Sequence, residues 1–460
     1  MGRHGPLTHF SPWMAETFAM HETDRFSLLS GLSFNLLHRD VFTPLGLGAT
    51  LCIPDAEDIA PGRLAEWLSK EAISIVHLTP AMGQILTRTN GIKLPSLRCA
   101  FFGGDQLRKP DVDLLWELTT AVTVVCFYGA TETQRAVGHF IVPPKNHKLQ
   151  EETPLKEVMP LGRGIQDVQL LVLNSSGQLA GVGELGEIYV RSPHLAIGYL
   201  NDEQLTQERF VLNPFTQEPN DRLYKTAELG RYLPDGNVQW VGRMDRQVNI
   251  RGFRIEPREI EAALADHPAV QEAAVMARED QPGDKRLVAY LVLSKDHEAT
   301  INELRRLLKQ KLPDFMIPAS FVFLESLPIT PNGKTDFQAL PTPNPASAIS
   351  QSQFVAPRTA LETVIADIWT EVLGVDQVGV YDNFFDLGGH SLLSLQVIAR
   401  LERETGLKVN PMAFVTQTLG QLASVYERRM PRRGHMVSNS FTRRLWGTLK
   451  SALFFRKNRP

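Results

Sequence analysis

The chain has little of what marks the specialised classes of protein. Only three cysteines occur in 460 residues, Cys52, Cys99 and Cys126, and they share no paired spacing. Each sits in an apolar run (ATLCIP, LRCAFF, VVCFYG), which argues against a disulfide framework or a cysteine metal site and predicts reduced core thiols in a cytoplasmic setting. No apolar stretch approaches the ~18 residues of a membrane-spanning helix, and the N-terminus lacks a signal-peptide pattern. Net charge is also small: 48 Lys and Arg against 51 Asp and Glu leave −3, which excludes an obligate nucleic-acid binder. No internal repeat is evident.

What is present is an ordinary globular composition, 43% hydrophobic and 22% charged, over a length that suits roughly three domains with real cores. The charge is uneven. Residues 429–460 hold nine Lys or Arg and no acid, so the first 428 residues carry −12. In that tail Phe441, Leu445, Leu449, Ala452 and Leu453 fall near one helical face with Arg443, Arg444, Lys450, Arg456 and Lys457 interleaved. A basic amphipathic helix of this kind suits an anionic membrane or an acidic partner, including the acidic body itself or a downstream protein. A disordered solubilising tail fits the composition equally well.

Residues 1–244 mix helical periodicity with buried-type strands such as AVTVVCF and alternating ones such as GEIYVRS, which predicts α/β packing followed by β structure. GRYLPDGNVQWVGR places Pro234-Asp235-Gly236 between strand-like flanks and predicts a hairpin. Residues 245–342 predict a small α+β domain: a helix after Pro257, strands EAAVMA and RLVAYLVL, and the helix INELRRLLKQKL. Residues 343–353 lie in a Pro/Ser/Ala/Gln-rich linker. Beyond it, apolar positions 361, 364, 365, 368, 369, 372 and 373 make a strong amphipathic helix, and further helices begin at 391 and 418. Residues 354–428 therefore predict an all-α bundle of the four-helix kind.

Between the first two of these helices runs DNFFDLGGHSLLSL, with Ser391 at a helix start behind Gly388, Gly389 and His390. A helix N-terminus suits a phosphodiester, because unpaired N–H groups and the dipole favour negative charge there. A plain N-cap serine is the alternative. The string resembles the phosphopantetheine attachment motif of peptidyl carrier proteins, in the order Asp386, Leu387, Gly388, Gly389, His390, Ser391, Leu392. That resemblance implies 4'-phosphopantetheine on Ser391, a phosphopantetheinyl transferase as partner, and an acyl or aminoacyl thioester on the arm.

Upstream, FFGGDQL, FYGATETQ, GELGEIYVRSPHLAIGYL, YKTAELGRYLPDG, GRMDRQVNIRGFRIEPREIEAAL and LPITPNGKTDFQAL stand in order. Together they resemble the adenylation domain of nonribosomal peptide synthetases over nearly all of residues 1–342, an ATP- and Mg-dependent ligase family. The resemblance implies that Gly103, Gly104 and Asp105 line the adenine, Tyr128 stacks on it, Thr131 touches the α-phosphate and Glu132 holds Mg. It places Glu228 at the ribose, Arg243 at ribose and phosphate, and Asp245 at the hinge between large and small domains. Lys334, by composition a solvated loop lysine, becomes the catalytic lysine, a mobile cation that meets the charge growing on the phosphoryl oxygens.

The sequence departs from that family in four places. The chain begins on residues resembling the stretch that follows the family's phosphate loop, so the expected large domain is partial; losing even one preorganised donor costs about 10²–10³ in rate. Asn35 stands where an Asp pairs with the substrate ammonium, a bond worth roughly 1.5–3 kcal/mol. Glu228 replaces Asp, and Asn249 replaces a lysine. By analogy the acyl pocket draws on Asn35, Leu36, Arg39, Ala100, Phe102, Phe127, Arg135 and Ala136; the two arginines suit an acidic substrate or are simply surface cations. Two activities follow as expectations: activation of an amino acid or related carboxylate as acyl-AMP with tethering to Ser391, or a carrier whose degenerate adenylation remnant is loaded in trans by another enzyme. Other synthetase modules are the expected partners.

Overall fold

The computed structural model describes residues 1–31, 35–55, 58–59, 62–89, 91–119, 121–145, 157–216, 218–250, 252–280, 285–294, 299–330, 335–343, 354–375, 377–384, 387, 389, 391–406, 409 and 417–427. The expectations for Lys334, for residues 344–353 and for the basic tail fall outside them. The chain divides into two compact units, Met1–Arg254 and Ile255–Pro460.

In the first unit, seven strands form one sheet in the order β2-β1-β3-β4-β5-β6-β7. Strands β1 (Arg25–Ser27), β2 (Thr50–Cys52), β3 (Ile75–Leu78), β4 (Cys99–Phe102) and β5 (Thr123–Gly129) are parallel. Strands β6 (Ala136–Ile141) and β7 (Arg163–Gly164) run antiparallel beyond them. Helices α1 (Gly5–Thr17), α2 (Leu36–Leu47), α3 (Arg63–Lys70), α4 (Pro80–Thr87) and α5 (Lys109–Leu118) accompany the sheet. IVHL and CAFF are buried at every position, as parallel strands covered on both faces must be.

Alternation then separates two cores. Ile75, Cys99, Phe101, Val125 and Phe127 pack on one face with Phe10, Trp13 and Met14 of α1. Val76, Leu78, Ala100, Phe102, Val124 and Cys126 pack on the other with Leu64, Leu68, Leu86 and Leu115 of the remaining helices. All three cysteines are free and buried, as their apolar surroundings predict.

A second, antiparallel sheet of five strands follows, in which Arg222–Tyr232 and Val238–Arg243 form the hairpin read from Pro234-Asp235-Gly236.

The second unit opens with the expected α+β arrangement. The helix Pro257–Ala265 and the capping-box helix Ile301–Lys311 accompany strands Val270–Glu279, Lys285–Leu293 and Ser320–Phe323. Three carrier-region helices are described: Ala360–Leu373, Ser391–Thr405 and Leu419–Glu427. They bury a shared core of Leu361, Ile365, Trp369, Val397, Leu401, Leu419 and Leu422. Among the described residues no helix is long and apolar enough to cross a membrane.

Candidate active site

The strand Arg222–Tyr232 changes register between Lys225 and Leu229, and Ala227 there adopts φ 59°, a left-handed conformation that costs an L-residue roughly 1–2 kcal/mol. Its N–H donates to Glu187 Oε1 at 3.1 Å, and the next N–H, that of Glu228, donates to Thr226 Oγ1 at 3.0 Å. The irregularity sets Glu228 opposite Arg243 on the neighbouring strand. Arg243 Nη1 donates to Glu228 Oε1 at 2.9 Å, while Nε and Nη2 grip both oxygens of Asp245 at 2.6 and 2.8 Å. The second oxygen of Glu228 accepts the Tyr128 hydroxyl at the end of β5. Burial first, then the Glu228 carboxylate, push the Tyr128 phenol well above its ordinary pKa, so it stays a donor. Tyr128, Glu228, Arg243 and Asp245 thus form one connected chain. Among the described residues each Glu228 oxygen carries a single donor, which leaves acceptor capacity suited to the hydroxyls of a ribose.

Directly after β5, Thr131–Thr133 make one 3₁₀ turn with Thr131 exposed and Glu132 buried. Tyr199 donates to Glu132 Oε1 and Arg254 Nη1 to Oε2, both at 2.7 Å. Burial raises the Glu132 pKa, but the Arg254 charge and these hydrogen bonds more than offset it, and the carboxyl stays below its ordinary value. Among the described residues no group of three metal-ligating side chains occurs. A lone carboxylate completed by phosphate oxygens is nonetheless a normal Mg site. Arg254 occupies Glu132 Oε2 in this arrangement, so an ion bound there would have to displace it.

Gly103 and Gly104 follow β4. Gly104 has φ 85°, a left-handed conformation that favours glycine, and it packs beside Gly252 and the Thr79 side chain. Asp105 turns back, its Oδ1 accepting the Gln106 N–H at 2.8 Å.

At the pocket end, Asn35 stands immediately before α2 and its Nδ2 donates to the Gln134 carbonyl at 3.4 Å. Leu36 is the first residue of α2, Ala136 the first of β6, and Asn249 lies on the short strand Val248–Ile250. Phe127 stacks on Phe101 with centroids 5.0 Å apart and planes 13° from parallel. Of the residues expected at the pocket, Ala100 and Phe102 pack on the face of the sheet opposite Phe127, where the Phe102 ring closes on Gly83 of α4, while Phe101 lies beside Phe127.

Reading residues alone also misses His77, Tyr199 and Arg254. His77 interrupts an otherwise apolar strand, SIVHL, which is the one local signal of the three. Its Nδ1 lies 3.1 Å from Asp40 Oδ1, and Asp40 also accepts Arg39 Nε at 3.0 Å and the Ser30 hydroxyl at 2.5 Å. Burial foremost, with the Arg39 charge, lowers the His77 pKa to about 4 against the opposing pull of Asp40. The unfolded value is about 6.5, so the unfolded chain binds the extra proton between those limits. Stability is full above pH ~6.5 and declines toward pH ~4. For Asp40, burial raises the pKa but Arg39 and His77 depress it far more, and its contribution is lost only below its unfolded value near 3.8. Urea midpoints should fall between pH ~7 and ~4.5, and His77→Gln should flatten that slope; an unchanged slope contradicts the assignment.

In the carrier region Ser391 is the first residue of the helix Ser391–Thr405. Gly389 donates its N–H to the Phe384 carbonyl at 3.0 Å, and a Cβ at 389 would overlap both that carbonyl and the Phe384 ring. Phe384 is itself edge-on to Trp369 at 5.1 Å, so Gly389, two residues before Ser391, is clamped to the bundle core.

The AMP-binding enzyme family matches residues 1–200, the AMP-binding enzyme C-terminal domain residues 259–334, and the phosphopantetheine attachment site residues 363–425. The L-2-aminoadipate reductase of Schizosaccharomyces pombe is 40% identical over 95% of this chain and 34% of its own length. A linear gramicidin synthase polypeptide of Brevibacillus parabrevis is 40% identical over 91% of this chain and 5% of its own. The chain thus spans about a third or less of these relatives. A solved nonribosomal peptide synthetase protein containing adenylation and peptidyl carrier domains, bound to a vinylsulfonamide inhibitor, superposes with a TM-score of 0.68 at 27% identity, over 89% of this chain and 66% of its own. With the three domains in this order, the chain belongs to the AMP-binding enzyme family, in the adenylation-then-carrier arrangement of nonribosomal peptide synthetases.

Proposed function

We propose that this chain activates an amino acid or related carboxylic acid as an acyl-AMP and tethers the acyl group as a thioester on Ser391. The observation that carries the reading is the connected Tyr128–Glu228–Arg243–Asp245 chain beside Glu132, on one polypeptide with a serine that begins a helix in a phosphopantetheine attachment domain. In the first step the carboxylate attacks the α-phosphorus of ATP and pyrophosphate leaves; in the second the thiol attacks the acyl carbonyl and AMP leaves.

Tyr128 supplies an aromatic face for the base, with Gly103, Gly104 and Asp105 alongside. Glu228, positioned by Arg243, accepts the ribose hydroxyls. Thr131, exposed at the start of its turn, meets the α-phosphate, and Glu132 holds Mg once Arg254 is displaced. Lys334 balances charge on the phosphoryl oxygens, and Asp245 serves as the hinge. ATP with Mg supplies the leaving group and charge neutralisation, and the 4'-phosphopantetheine arm supplies the thiol.

A phosphopantetheinyl transferase and other synthetase modules are the implied partners, with the basic tail as a further contact to a membrane or acidic protein. Because the relatives include aminoadipate reductases and gramicidin synthases, 2-aminoadipate belongs in the substrate panel beside the common amino acids. Exchange of labelled pyrophosphate into ATP that depends on one acid supports the reading. No exchange with any acid, from folded protein with Mg, favours instead a carrier loaded in trans.

A further inference from the structure

Two arginines face each other across the sheet of the second unit. In the antiparallel ladder between Val270–Glu279 and Lys285–Leu293, Arg278 stands directly opposite Arg286, an arrangement in which like charges repel. The next pair in the ladder, Glu279 and Lys285, cancels. One carboxylate answers both arginines: Asp280 Oδ1 accepts Arg278 Nε at 3.0 Å and Oδ2 accepts Arg286 Nη2 at 3.4 Å. Arg278 is further engaged by the Thr342 hydroxyl at 3.0 Å, the Leu340 carbonyl at 3.3 Å and the Tyr290 hydroxyl at 3.4 Å. Among the described residues this group keeps one unbalanced positive charge.

Arg286 is the less satisfied of the two. Its side chain is 13% exposed, and among the described residues its Nε is buried without a hydrogen bond. Its other bond runs to the carrier region, where Nη1 donates to the Gly389 carbonyl at 3.5 Å. Both of its bonds lie at the long limit, so most of the capacity of its five N–H donors is unspent. Packing next door seats the carrier helices at the same place. Ala319 is buried in one core with Leu361, Ile365 and Trp369, and its N–H donates at 3.0 Å to the carbonyl of Leu287, the residue after Arg286. Gly389 precedes Ser391 by two residues, a span of at most about 7 Å.

We propose that Arg286 binds the phosphodiester that Ser391 carries once it is modified. The proposal rests on attachment of 4'-phosphopantetheine at Ser391 and is independent of which acid is activated. The phosphate brings the negative charge that the opposed arginines lack, and guanidinium–phosphate bonds are short and charge-assisted, whereas the Gly389 carbonyl is a neutral and distant acceptor. Modification thus replaces a weak contact by a charged one and holds the root of the arm against the strand Lys285–Leu293.

The full chain and its Arg286→Gln and Arg286→Lys variants are each given the arm by a phosphopantetheinyl transferase and coenzyme A, and intact mass confirms one arm per chain. The phosphorus NMR resonance of the diester should differ between native and Arg286→Gln, and a phosphodiesterase specific for carrier-bound arms should release the arm about tenfold faster from Arg286→Gln. Arg286→Lys, which keeps the charge, should release it within about threefold of native. The arm-free Arg286→Gln chain should match native in urea midpoint, because the substitution removes one of two opposed like charges; this separates phosphate binding from folding. Identical resonances and equal release from native and Arg286→Gln overturn the proposal. Fast release from both variants overturns it as well, since charge at this position then does nothing. A native chain that takes no arm overturns the attachment reading and the proposal with it.

Discussion

Replacing Ser391 by alanine abolishes both modification and acyl tethering. The hydroxyl is the acceptor of the phosphodiester, and the methyl group of alanine offers no oxygen in its place. Intact-mass measurement after incubation with a phosphopantetheinyl transferase and coenzyme A should show one added arm on the native chain and none on Ser391→Ala. Pyrophosphate exchange should be the same in both, since Ser391 lies in the second unit's carrier bundle and takes no part in adenylate formation. An arm still present on the variant removes Ser391 as the attachment site. Loss of exchange in the variant contradicts the division of labour between the adenylation and carrier regions.

The second large effect is on stability. Asp40 is completely buried; it accepts Ser30 and Arg39 at once, with His77 3.1 Å away. Asp40→Ala leaves Arg39 buried with no counter-charge, a loss of about 3–5 kcal/mol. Domains are stable by only about 5–15 kcal/mol, so the urea midpoint should fall steeply. Removing both partners is gentler than removing one, because no orphan charge remains. Arg39→Met combined with Asp40→Leu should therefore recover much of the loss. A single variant within ~1 kcal/mol of native would show that the cluster is solvated.

Much of this architecture is legible in the amino-acid order. The stripe from 361 to 373 reads as a helix because its apolar residues follow the helical period, and Pro234-Asp235-Gly236 reads as a turn through its chemistry. The face assignments of β4 are different. CAFF is buried at every position, so its sequence has no alternation from which to choose between Phe101 and Phe102. Pairing with β3 and β5 makes the choice, putting Phe101 with Phe127 and Phe102 with Gly83.

The contacts of Glu132 are illegible for another reason. Tyr199 and Arg254 lie 67 and 122 residues away in the chain, and nothing in their local surroundings marks them as partners of one carboxylate. Asp40 and His77 share this property: neither points to the other in the sequence, and only packing of α2 beside β3 makes them a charge cluster.

The central claim joins both units in one reaction sequence, and intact-protein mass spectrometry tests it in a single experiment. The full chain, first given its arm by a phosphopantetheinyl transferase, is incubated with ATP, Mg and the acid panel. The account predicts a further mass increase equal to one acyl group, dependent on ATP, absent from Ser391→Ala and removed by hydroxylamine. An arm-bearing chain that gains no acyl group from any acid in the presence of ATP would contradict it.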